Sequence, residues 1–396
     1  MTGVLNGIRV LDFGRYIAGP YCGALLGDFG AEVIRIEKRE GSEDRWTMPV
    51  GEDGTGAAFM QMNRNKLSIT LDPAAPEGRE AVRRLVAVSD VVIANMPLAQ
   101  LKELGLDYET LEKINPRIIV FMNSCFGSVG PFAKRPGFET IAQGMSGSMH
   151  LTGDGITPMR VAVPANDFGT ATFGALGILA ALLERQKSGR GQLVETSLLH
   201  TALNLSDANL IEEALLKKDR IAKGNRSWHS GPSDCYRTKD GWIVLMVIGP
   251  GLFKRWARLM GEEKLWTEDP RFATDQLRGD NGEALSIRHQ QWCASRTTKE
   301  ALAELEKAHI PAGPIYSLPQ TLADEHIKEA GFLEEIDYPG LPKPAPVVTT
   351  PVKLSRTPGK VHRRPPLLGE HTHDVLTRIA RYTEAELDAL RAKDVI

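Results

Sequence analysis

A chain of 396 residues has room for two domains with full hydrophobic cores. With 25 % charged residues and a formal net charge of −2, its Lys and Arg are spread among acids, which excludes the basic face that nucleic acid demands. Four cysteines (Cys22, Cys125, Cys235, Cys293) lie far apart without a C-x-x-C, so free thiols and no metal site are expected.

The N-terminus, Met1-Thr2-Gly3-Val4, lacks a basic and apolar leader pattern. The longest apolar run, near Ala171–Leu183, is broken by glycines and flanked by charge, so a cytoplasmic chain without a membrane span is expected. Strands and helices then alternate. Ile8–Phe13, Glu32–Glu37, Lys66–Leu71, Asp90–Ala94 and Arg117–Ser124 read as strands; Gly19–Phe29, Glu77–Val88 and a segment opening at Tyr108–Lys113 read as helices. This rhythm predicts an α/β fold whose parallel sheet is covered by helices. The turn after the first strand, F-G-R-Y-I-A-G-P, lacks the G-x-G-x-x-G of a dinucleotide site.

The segment Val161–Leu198 carries the sharpest chemistry. Asp167 stands at the start of an apolar helix that runs to about Lys187, then comes the turn Ser188-Gly189-Arg190-Gly191 and a strand at Gln192–Thr196. A carboxylate in a first helical turn is either a cap, as Asn166 or Asp167 would supply, or a nucleophile. The small residues Thr170, Ala171, Gly174, Ala175 and Gly177 favour a helix buried nearly all round, with an ionised Asp167 at its dipole's positive end.

Beyond Asn204 the character changes. Leu210–Lys223 reads as a helix, Cys235–Thr238 and Trp242–Val247 as a hairpin across Lys239-Asp240-Gly241, and Leu252–Met260, Glu283–Ala294 and Lys299–His309 as helices. From Phe332 the chain is rich in proline and reads as extended, up to a last helix at Glu384–Ala392. The domain expectation is residues 1–224 for the first part of a large domain and 225–325 for a small α+β domain. Residues 326–396 are then a return segment completing the large domain.

Six blocks occur in one order: G-I-R-V-L-D-F-x-x-x-x-A-G-P at Gly7–Pro20, L-G-D-F-G-A-E-V-I-R-I-E at Leu26–Glu37 and N-R-N-K-L-S-I at Asn63–Ile69, followed by R-P-G-F-E-T-I-A-Q-G-M-S-G at Arg135–Gly147, the Asp167 segment with S-G-R-G-Q, and P-P-L-L-G-E-H-T at Pro365–Thr372. With these blocks the chain resembles the class III CoA-transferase (CaiB/BaiF) family over essentially its whole length. The resemblance implies a Rossmann-like large domain, a smaller α+β domain and an interlocked homodimer. It implies coenzyme A thioesters as substrates and no tightly bound cofactor.

On this resemblance Asp167 is the catalytic carboxylate, passing through an acyl–aspartyl anhydride and an aspartyl-CoA thioester. Arg15, Tyr16, Phe138 and Glu139 are implied in the acyl and acceptor pocket. Gly249 and Gly251 fall near the family's closing glycine loop, or form only a turn from hairpin to helix. Lys38, Lys66, Asn95 and Leu104 are implied as CoA contacts, with ordinary solvated charge as the other reading of both lysines. N-M-P-L-A at Asn95–Ala99 departs from the family pattern by losing an aromatic and a glycine, and Ile17 stands where formyl-CoA transferases carry Gln. Arg15, Tyr16 and Arg160 suggest a dicarboxylate, so the expected reaction moves CoA from a donor such as succinyl-CoA to a small organic acid. Two alternatives stand beside it: a racemase, disfavoured because Phe138 replaces the histidine of the racemases' G-H-D, and a catalytically silent CoA-binding protein.

Overall fold

The computed structural model describes residues 3–396. Their contacts divide into two compact units: the chain up to Ser148 with Arg160–Leu215 and Glu329–Ile396, and Met149–Met159 with Leu216–Lys328. The expected boundaries thus move from 224/225 to 215/216 and from 325/326 to 328/329. Met149–Met159 joins the second unit, where Gly224 N donates to Gly153 O.

The first unit holds six strands: β1 (Arg9–Asp12), β2 (Glu32–Glu37), β3 (Lys66–Thr70), β4 (Val91–Ala94), β5 (Ile119–Ser124) and β6 (Leu193–Ser197). All pair in parallel, in the order β3-β2-β1-β4-β5-β6. This is the doubly wound order, which reverses direction between β1 and β4. Its helices are α1 (Ala18–Asp28), α2 (Ala57–Asn63), α3 (Pro76–Val86), α4 (Leu98–Leu104), α5 (Tyr108–Ile114), α6 (Glu139–Met145), α7 (Ala165–Ser188) and α8 (Leu198–Leu205).

Alternation along the strands builds one core on each face of the sheet. Leu11, Ile34, Ile69, Val92 and Val120 pack with α3, α5 and the C-terminal helices Thr372–Arg378 and Glu384–Ala392, so the end of the chain completes this unit. Val10, Val33, Val91, Ile93 and Phe121 point the other way, onto Leu25 and Leu26 of α1 and Ala171, Ile178 and Leu182 of α7.

Helix α7 departs from expectation in two ways. It begins at Ala165 with Pro164 as its cap residue, so neither Asn166 nor Asp167 caps it. Nor is it buried all round. Phe173, Leu176 and Leu183 are exposed on its outer face, because only its inner face meets the sheet and α1. By length and composition it is also the one helix among the described residues apolar enough to cross a membrane. Its C-terminus closes as the sequence suggested, with Gly189 in the left-handed conformation (φ 75°) and its N–H on Arg185 O.

In the second unit β7 (Ser233–Arg237) and β8 (Trp242–Met246) form the expected antiparallel hairpin, and β9 (Ala312–Pro314) adds to β8. Helices Pro250–Leu259, Gly282–Ala294 and Thr298–Lys307 contribute Trp256, Trp292 and Leu305 to its core. The helix expected at Leu210–Lys223 is shorter, Asn209–Leu216, because Lys217 and Asp219 turn the chain through positive φ (50° and 47°). The proline-rich tail also does more than run extended. Its β10 (Leu333–Ile336) and β11 (Ala345–Val348) pair antiparallel.

Candidate active site

The loop after β1 enters the cavity at the reversal point in a strained shape that four side chains impose. Gly14 N donates to Asp12 Oδ1 (2.8 Å), and its carbonyl accepts from Arg35 Nη1 (3.1 Å). Asn95, just past β4, grips Arg15 from both sides: Oδ1 accepts from its N–H (2.7 Å) and Nδ2 donates to its carbonyl (2.6 Å). Tyr16 N donates to Asp44 Oδ2 (3.2 Å), and Tyr16 sits at φ 60°, a conformation a bulky residue adopts only when its surroundings hold it there. Beneath, the buried Arg35 makes two 2.9 Å bonds to Asp44.

Lys66 belongs to this foundation, which corrects its expected role as a CoA contact. It is fully buried, and its ammonium donates to Asp12 Oδ2 (2.6 Å), Pro20 O (2.7 Å) and Asn63 Oδ1 (2.9 Å), using all three donors. Burial pushes it down to about 8 despite the opposing pull of Asp12.

A cavity of about 240 Å³ opens beside this loop. Arg15, Tyr16, Asn95, Asn123, Cys125, Arg135, Phe138 and Asp167 are among its lining residues. It lies past the carboxyl ends of β1, β4 and β5, where doubly wound sheets bind ligands. Phe138 is exposed and meets Tyr16 edge-on, with ring centroids 6.0 Å apart. Gly137 is required here, because a Cβ would stand 2.5 Å from Cys125 Sγ.

Glu139, and not Asp167, supplies the cap of α7. From the first turn of α6 its carboxylate accepts from Asp167 N (2.9 Å), Asn166 N (3.4 Å), Asn166 Nδ2 (3.0 Å) and Gln143 Nε2 (2.8 Å). Glu139 therefore caps α7 from outside it and leaves the Asp167 side chain free to face the cavity. Four donors converge on Glu139, whereas the Asp167 carboxylate accepts no hydrogen bond among the described residues. Burial first, and then the nearby Glu139 charge, push Asp167 up to about 7. This corrects the expectation of a carboxylate kept ionised by the helix dipole. Burial, with both carboxylates nearby, lifts Cys125 to about 11, so the thiol stays protonated beside Asp167.

Of the implied CoA contacts, Lys38 is solvent-exposed and pairs with Glu43 (2.7 Å), which also meets Arg15 (3.4 Å). Leu104 ends α4 against the sheet's core and does not line the cavity. Arg160 is exposed and is likewise not among the lining residues. Gly249 and Gly251 lie in the second unit, where Gly249 (φ 84°) precedes helix Pro250–Leu259 and donates its N–H to Asp275 (2.9 Å). Sequence reasoning missed Asn123, Cys125 and Arg135 as lining residues. The arginine sits in the R-P-G-F-E block, 4.0 Å over the Phe132 ring, with no carboxylate partner among the described residues.

The family model for CoA-transferase family III matches residues 5–372. The chain belongs to CoA-transferase family III. It is similar to a succinyl-CoA–D-citramalate CoA-transferase of Chloroflexus aurantiacus, 36 % identical over 99 % of this chain and 98 % of that protein. A succinate–glutarate CoA-transferase of Agrobacterium fabrum is 35 % identical over 95 % of each chain. Among solved structures, a CaiB/BaiF family protein from Brucella suis superposes with a TM-score of 0.83 at 33 % identity, covering 96 % of this chain and 100 % of that one. The protein is thus a family III CoA-transferase, and its substrates include CoA thioesters.

Proposed function

We propose that this CoA-transferase moves CoA from succinyl-CoA, or a similar short dicarboxylyl-CoA, to a small organic acid, with Asp167 as the nucleophile. What carries the reading is the Asp167 carboxylate: half-buried, without a hydrogen-bond donor among the described residues, and facing a cavity that also presents Arg15 and Arg135. The relatives named for succinyl-CoA, citramalate and glutarate support the substrate class.

In the proposed sequence an Asp167 oxygen attacks the thioester carbonyl, and CoA leaves as its thiolate, giving a mixed anhydride. The thiolate then attacks the Asp167 carbonyl carbon and releases the donor acid as a carboxylate. The acceptor carboxylate attacks the resulting aspartyl-CoA thioester, and the expelled thiolate finally takes the acceptor's acyl carbon, restoring Asp167. A poorly solvated carboxylate is the stronger nucleophile once ionised, and a dry pocket protects the anhydride from water. Glu139 is a positioning residue: it fixes the first turn of α7 and keeps a charge beside Asp167. Arg15 and Arg135 supply positive charge for a substrate's distal carboxylate.

Lys38 and Asn95 remain in the proposal, the first as a phosphate contact and the second through its hold on Arg15. Leu104 would act only as the core support of α4, and Gly249 and Gly251 as a loop that closes over the intermediate. An interlocked homodimer is proposed as well, supported by the exposed apolar face of α7, and the cytoplasm as its compartment. A panel of donor thioesters and acceptor acids tests the assignment. Dicarboxylyl-CoA donors should lead, and Arg15→Gln should raise their KM more than that of monocarboxylyl donors. Transfer confined to carnitine-type or aromatic acids would overturn it.

A further inference from the structure

The P-P-L-L-G-E-H-T block takes no part in the Asp167 cavity. It borders a second cavity of about 430 Å³ at the opposite edge of the sheet, by the starts of β1, β2 and β3. There His371 is clamped to β3. Its backbone N–H donates to Ser68 O (2.9 Å), and its ring Nδ1 accepts from Ser68 N (3.2 Å). A ring nitrogen that accepts carries no proton, so a neutral imidazole must bear its proton on Nε2. The ring is neutral near pH 7, because burial, Arg363 and Arg364 hold His371 below its ordinary value against Glu370 and Asp374.

That Nε2–H lies 3.0 Å from Arg363 Nη1, and a guanidinium nitrogen can only donate. Two donors therefore face each other with no acceptor between them. The neighbouring cations are already committed. Arg9 and Arg378 meet on Glu32 (2.6 and 2.9 Å), and Arg378 also reaches Asp374 (3.4 Å). Arg363 has no carboxylate partner among the described residues.

We propose that Arg363 and His371 form a binding site for a phosphate group, inorganic or a monoester, distinct from the Asp167 cavity. Phosphate offers acceptor oxygens in several directions and so suits donors brought by separate residues, whereas a lone carboxylate is best met by a single guanidinium fork. The site needs nothing from the catalytic reading and stands or falls without it.

The test titrates the full-length enzyme, its active site blocked with 3′-dephospho-CoA, which carries no phosphate monoester, with inorganic phosphate and separately with ribose 5-phosphate. Saturable binding of either is expected, weaker by about tenfold or more in Arg363→Gln. Tighter binding of the inorganic ion would mark free phosphate as the ligand, and tighter binding of the ester a phosphorylated metabolite. Nitrogen-15 spectra of the wild-type imidazoles, with His371 assigned through His371→Gln, should show its proton on Nε2 and a shift on adding phosphate. Absent binding, equal binding by the variant, or a proton on Nδ1 would each overturn the proposal, the last because Nε2 would then accept from Arg363.

Discussion

Replacing Asp167 by Asn should abolish transfer and, unusually for an active-site change, stabilise the fold. The native carboxyl is pushed up to about 7 from an ordinary 3.8. The native state therefore holds a proton that the unfolded chain has lost, and stability falls as pH rises from about 4 to about 7. At about 1.4 kcal/mol per pH unit the full penalty would be about 4 kcal/mol. The solvent-facing side of this half-buried group screens part of it, leaving about 2–4 kcal/mol above neutrality. Asparagine escapes this cost and loses no hydrogen bond, since none reaches the carboxylate from the described residues. Urea unfolding of both proteins, compared at about pH 4 and about pH 8.5, checks the reasoning, because other titrating groups cancel in the difference. The variant should gain nothing in acid and about 2–4 kcal/mol in base. A gain independent of pH, or none at all, would refute the claim that Asp167 is ionised at a cost.

Other consequences follow from the same geometry. The kcat/KM for transfer should rise with pH through about 7 as Asp167 ionises, and Glu139→Gln should move that midpoint to lower pH by removing the like charge. An unmoved midpoint would mean that Glu139 acts only as a cap. Lys66→Met should destabilise the fold by about 3–5 kcal/mol in denaturant by stranding Asp12, and leave the KM for CoA thioesters nearly unchanged in whatever protein folds. A selective rise in that KM at unchanged stability would restore Lys66 as a CoA contact. Gly137→Ala should cost about 1–3 kcal/mol through the clash with Cys125, and Cys125→Gly should relieve it in a double-mutant cycle.

Much of the sheet was legible because its strands are short apolar runs separated by amphipathic helices. Glu32–Glu37 and the last helix, Glu384–Ala392, even keep their expected ends. What one sequence cannot reveal is which side chains meet across the sheet. Lys66 reads as an exposed cation in N-R-N-K until Asp12, which lies on the neighbouring part of the fold but 54 residues away, is seen to take its charge. Asp167 was found by the resemblance, and its start-of-helix position pointed to a cap because Glu139, 28 residues earlier, was not known to do that work. Cys125 and Asn123 were invisible as lining residues because only the strand order places the end of β5 beside that of β4. The β10–β11 pair was missed because its prolines masked the pattern of a strand.

The central claim, that Asp167 carries the CoA between donor and acceptor, is tested most directly by covalent trapping. Enzyme incubated with succinyl-CoA, without acceptor, is quenched, digested and examined by mass spectrometry. The account predicts CoA bound through a thioester on the peptide holding Asp167, converted by hydroxylamine to a hydroxamate at that residue. An adduct on Cys125, or undiminished transfer by Asp167→Ala, would contradict it.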